Sequence, residues 1–137
     1  MAIHGAERLI IVSVDRMILF AIYLLMLLII RERATPKQIG QMSEVYNGLM
    51  IKLAVDVQQE ILAGGGELHA DCEQLLLENG SQQGSIWGAD WYPELRRVGM
   101  ESLINIRPRQ QNRGLEITNP LLREKIESIV RRLLEIN

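Results

Sequence analysis

At 137 residues the chain is long enough for one domain with a modest core, and too short for two. Hydrophobic residues at 47% and charged residues at 23% form an ordinary globular balance, which excludes wholesale disorder. A net charge of −2 gives no overall basic field, so nucleic-acid binding would need a local patch, and the single cysteine, Cys72, excludes an internal disulfide or a cysteine-based zinc cluster.

The N-terminal quarter is strongly apolar. Met17 to Ile30 is an unbroken run of 14 apolar residues, preceded by Leu9 to Val14 and interrupted only by Asp15 and Arg16. A membrane span needs about 20 apolar residues, and each of the two charges costs roughly 2.5–3.5 kcal/mol at a helix centre. A span over residues 9–30 would leave the rest of the chain in the cytoplasm, because Arg31, Arg33 and Lys37 follow it. No small-residue site for signal cleavage follows. The end of the run, Met26-Leu27-Leu28-Ile29-Ile30, reads as a short buried strand closed by charge. Met17 and Met26 both offer internal starts. The preferred expectation is a start near Met26, with residues 1–25 an over-extended leader and residues 26–137 a single cytoplasmic domain. The alternatives are a single-span membrane anchor and a soluble extension.

Thr35-Pro36-Lys37-Gln38 is a helix start: Thr35 can cap, Pro36 suits the first helical position and Gln38 can complete a capping box. Ile39, Met42, Val45, Tyr46 and Leu49 keep helical spacing, and Asn47-Gly48 can divide the segment into two helices. Leu53, Val57, Ile61 and Leu62 continue the stripe, which Gly64-Gly65-Gly66 stops while allowing a close backbone crossing. Glu67 to Leu77 is read as a strand with His69, Asp71 and Glu73 on one face, against a competing helical pattern at Leu68, Cys72, Leu75 and Leu76. Glu78-Asn79-Gly80-Ser81 marks a turn, and Ser85 to Tyr92 a strand with Trp87, Ala89 and Trp91 inward as core anchors. Met100 to Arg107 alternates as a further strand. Asn119-Pro120 opens a final helix with a stripe at Leu122, Ile126, Ile129, Val130 and Leu133.

The predicted class is therefore α+β. It has a small antiparallel meander of about four strands, with an N-terminal helix or helix pair and a C-terminal helix packed on one face. The opposite sheet face is expected to be polar and open.

Gly65-Gly66-Glu67-Leu68-His69-Ala70-Asp71, Gly80-Ser81, Ile86-Trp87-Gly88 and Ser102-Leu103-Ile104-Asn105-Ile106-Arg107-Pro108 resemble a bacterial family of proteins of unknown function, number 5674 in its series. The resemblance runs over about Leu27–Leu134. It implies a chain that opens with the short strand and the Thr-Pro helix start, from which the residues before Met26 depart. It implies no activity, substrate or cofactor.

Two polar groups stand out. His69, Asp71 and Glu73 on one strand face would offer an imidazole and two carboxylates, suited to general acid/base catalysis. They could ligate a transition metal only with help from Asp56, Asp90 or Glu101. Asn105, Arg107, Arg109, Asn112 and Arg113 place three guanidinium groups and two amides in a short acid-free stretch, suited to a phosphate or carboxylate. Arg96 and Arg97 could extend it. RNA backbone is an alternative ligand, although no aromatic is interleaved for base stacking. The bland readings are a solvated face and a loop tied down by its own amides. Cys72 lacks an activating partner, and no motif indicates a cofactor.

Three functions follow. The first is a small cytoplasmic binding protein for an anionic molecule or phosphate-containing partner. The second is a small enzyme, metal-assisted or toxin-like in hydrolysing RNA, with His69 as acid/base. The third is an oligomeric or membrane-anchored interaction module without a small-molecule site.

Overall fold

Five strands, β1 (Leu28–Ile30), β2 (Ile51–Asp56), β3 (Ile61–Gly64), β4 (Ile86–Tyr92) and β5 (Arg97–Gly99), form one sheet in the order β1-β3-β2-β4-β5, with every neighbouring pair antiparallel. After β1, three helices accompany it: α1 (Pro36–Ser43), α2 (His69–Glu78) and α3 (Pro120–Leu134). The structure, a computed structural model, describes residues 16–21 and 25–136. Most of residues 1–25, His4 included, lie outside that description, and with them the expectations about a late start or an anchor. Among the described residues no helix is long and apolar enough to cross a membrane.

The class is α+β, as the pattern predicts. Strand period two divides the sheet's side chains cleanly. Ile51, Leu53, Val55, Leu62, Trp87, Ala89 and Trp91 meet α1 and α3 through Met42, Ile126, Ile129, Val130 and Leu133. The N- and C-terminal helices thus share one face. The other face carries Ala54, Ile61, Ala63 and Ile86, and it is not open: α2 lies on it through Cys72 and Leu76.

The helix starts follow local chemistry. Thr35 Oγ1 accepts from Gln38 N–H at 3.2 Å while Gln38 Oε1 accepts from Thr35 N–H at 2.9 Å. Asn119 Oδ1 accepts from the N–H groups of Leu121 and Leu122. At the other end of α1, Asn47 and Gly48 both take positive φ, 55° and 81°, and turn the chain into β2.

Three expectations are corrected. Residues 51–64 form the β2–β3 hairpin rather than a helix. Asp56 makes its turn, with Oδ1 accepting from Gln58 N–H at 2.9 Å and Gln59 N–H at 3.0 Å, and Glu60 in the left-handed region. Gly64-Gly65-Gly66 therefore ends a strand. The close crossing is present there: a Cβ on Gly65 would run into the Met26 carbonyl oxygen. Residues 67–77 follow the helical pattern, because Asp71 Oδ2 accepts from Leu68 N–H at 3.0 Å and Leu75–Leu76 dock on the sheet. Residues 100–107 are not a strand but a bridge at Glu101 followed by a 3-10 turn, Leu103–Asn105, which Ser102 Oγ caps.

Candidate functional site

The 3-10 turn lies against β4 because Gly88 makes room. A Cβ at Gly88 would sit 2.5 Å from Ser102 Cβ. Alongside Gly88, β4 has no strand neighbour on this side, since β5 begins pairing only at Asp90. The side chain of Asn105 takes that place: its Oδ1 accepts from Gly88 N–H at 2.8 Å, and its Nδ2 donates to Gly88 O at 3.0 Å. Asn112 holds the return of the loop. Its Nδ2 donates to the carbonyls of Asn105, Gly114 and Glu116, and its Oδ1 accepts from Thr118 N–H and Oγ1–H. Both asparagines are buried, at 0% and 4% exposure, and their amides serve backbone groups and the Thr118 hydroxyl.

Arg107 is similarly occupied. Its Nε donates to Ile104 O at 3.0 Å, Nη1 to Gln83 O at 2.7 Å and Gln110 Oε1 at 3.3 Å, and Nη2 to Glu73 Oε2 at 3.2 Å. The guanidinium carbon lies 4.8 Å from the centre of the Trp87 ring. Burial holds the Glu73 carboxyl above its ordinary range, with the Arg107 charge opposing that shift. Burial likewise lowers Arg107, opposed by Glu73. The pair is one clasp joining α2 to the loop.

On α2, His69 and Glu73 are four residues apart and so share one side. Asp71, two residues from each, leaves that side and caps Leu68, so the three side chains do not line one face as expected for a strand. Among the described residues no group of three or more His, Cys, Asp or Glu is placed to hold a metal ion. His69 instead meets β4: its Nε2 is 2.8 Å from Asp90 Oδ1 and 3.1 Å from Ala89 O. Both side chains are largely buried, at 12% and 11% exposure, while Nδ1 has no partner among the described residues.

Two cavities flank the 3-10 turn and share Leu103 and Ile104 as a wall. One, of about 600 Å³, lies between Glu73, Arg107, Arg109 and Gln110. The other, of about 350 Å³, is bordered by Lys52, His69, Glu101 and Leu115. Arg109 and Arg113 are exposed on the loop and form no ion pair among the described residues.

The structure thus brings His69 to Asp90 and Glu73 to Arg107, and it separates Asn105 and Asn112 from solvent. Sequence reasoning missed Lys52 and the contact of Trp87 with Arg107. The alternation Ile51-Lys52-Leu53 was the signal for Lys52, since it sends the lysine to the α2 side.

The family model described as "Protein of unknown function (DUF5674)" matches residues 28–133. The chain belongs to this family. The DUF5674 match starts at the first residue of β1 and ends in the last turn of α3, so it takes in the whole sheet, α1, α2, nearly all of α3 and both cavities. The chain matches no curated protein and no solved structure.

Proposed function

We propose that the chain is a binding protein for a small anionic molecule, a phosphate or carboxylate on an apolar body. It is held in the larger cavity with Arg109 on the anion. The observation that carries this reading is Arg109 itself, an exposed guanidinium without an ion pair among the described residues, on the wall of a cavity whose volume suits a small ligand. Arg107 supports it as the fixed frame behind the site. Leu103, Ile104, Ile106 and Pro108 supply the apolar wall. The test is thermal shift and NMR titration with inorganic phosphate, benzoate, phenyl phosphate and adenosine monophosphate. Phenyl phosphate or benzoate raises the melting temperature of the parent and not of Arg109→Ala. Equal response of the variant, or silence toward all four at millimolar concentration, overturns the reading.

A second reading, hydrolysis with His69 as acid/base, is favoured by the 2.8 Å contact with Asp90, which orients the ring and leaves Nδ1 to work. Cleavage of a fluorogenic RNA that disappears in His69→Ala supports it. Cleavage that persists in His69→Ala attributes it to a contaminant.

A further inference from the structure

We propose that the smaller cavity is a binding site for an α-amino acid with an aliphatic side chain, held as its zwitterion. The border of this cavity carries two opposite charges that are not spent on each other. Lys52, from β2, has its ammonium 5.3 Å from the centre of the Tyr46 ring and meets no carboxylate among the described residues. Glu101, exposed just before the 3-10 turn, meets no cation among them. The rest of the wall is mainly apolar. Leu68, Leu103 and Leu115 contribute to it and are 44–77% exposed.

His69 decides which charges a ligand must bring. Both groups at its Nε2, Asp90 Oδ1 and Ala89 O, are acceptors, so in the neutral ring Nε2 carries the proton. Nδ1 is then a lone pair without a partner among the described residues, able to accept from an ammonium and with nothing to offer a carboxylate. A simple anion here would meet Lys52 but also Glu101, with Asp90 behind the ring. A zwitterion satisfies every group: carboxylate to Lys52, ammonium to Glu101 and Nδ1, side chain on the leucines. The frame is already set by the main chain. Ser102 N–H donates to Leu115 O and Ile117 N–H to Met100 O, each at 3.1 Å, so little ordering is left for the ligand to impose. At about 350 Å³ the cavity is near the lower end of the range for small-molecule sites, in keeping with a single amino acid.

NMR titration of the full chain with L-leucine tests this. Saturable shifts centre on Lys52, His69, Leu103 and Leu115. Isocaproate lacks the ammonium and isoamylamine lacks the carboxylate, and each binds about ten-fold or more weakly because it forfeits a charged hydrogen bond. Lys52→Met and Glu101→Gln lose affinity for L-leucine by a similar factor, with the rest of the parent spectrum retained. Four results overturn the proposal: no saturable shift, shifts centred instead on Arg109 and Gln110, either analogue bound as tightly as L-leucine, or either variant responding as the parent does.

Discussion

The two faces of the sheet are built from different side chains and do different work. Toward α1 and α3 the strands send Ile51, Leu53, Val55, Leu62, Trp87 and Trp91, and large residues of α3 fill what remains. Toward α2 they send Ala54, Ala63 and Gly88 beside Ile61 and Ile86, with Lys52, Asp56 and Asp90 among them. Small residues let a helix and a loop approach closely, and the polar ones then meet them: Asp56 accepts from Ser81 Oγ–H at 2.6 Å, and Asp90 contacts His69. One face is filled by bulk. The other is organised by hydrogen bonds, and both flanking cavities are on its side. Chemistry gathers where side chains are small enough to let polar groups near.

The largest expected effect lies on the bulky face. Trp91→Ala removes a buried ring and should cost about 3–5 kcal/mol in urea unfolding. The titration at Arg109 should survive in the folded fraction, since Trp91 lies on the sheet face that packs against α1 and α3. Loss of the titration would mean that the faces are not separable. On the α2 side, Asn105→Ala strands the N–H and C=O of Gly88 and should cost about 2–4 kcal/mol. Here the Arg109 response should go with it. Gly88→Ala forces Ser102 away and should cost about 1–3 kcal/mol, with NMR shifts confined to residues 100–118. Shifts in α3 would contradict the division.

A smaller effect is pH-dependent. Burial raises Glu73 above its usual 4.5, and Arg107 only opposes this. Its ionised form therefore costs stability above the folded-state value, and that cost is relieved as pH falls from there toward 4.5. Glu73→Gln has no such titration. The stability of the parent relative to Glu73→Gln should rise as pH is lowered, and a gap that stays flat between pH 7 and 4.5 counts against it. The smallest effect is at Cys72, where burial pushes the thiol up to about 12. At pH 8 only about one thiol in 10⁴ is ionised, so an aromatic disulfide reagent should find no thiol until denaturant is added.

What could be read from sequence is what depends on near neighbours. The Thr35 box, the Asn119 cap and the Trp87–Trp91 face each need only a few adjacent residues. The hairpin was hidden by arithmetic: Leu53, Val57 and Ile61 are four apart, which suits one helix turn and also an even strand interval. The shorter alternation Ile51, Leu53, Val55 was the better guide. Residues 67–77 carried both periods, and an Asp71 cap decided for helix. The Met100–Arg107 alternation was overridden by contacts from elsewhere in the chain, above all Asn105 on Gly88. The His69–Asp90 and Glu73–Arg107 pairs span 21 and 34 residues, so only the fold reveals them.

Asn105 and Asn112 address main-chain groups, with the Thr118 hydroxyl as their one side-chain partner among the described residues, and that has a consequence for how this surface can change over generations. Main-chain groups are the same whatever side chain is attached. The tip between these two anchors, from Pro108 to Gln111, is therefore open to substitution and even to added length while the sheet behind it stays put. A lineage could remodel recognition there by trial at little risk to folding. Two glycines inserted after Arg109 should leave the melting temperature nearly where it was.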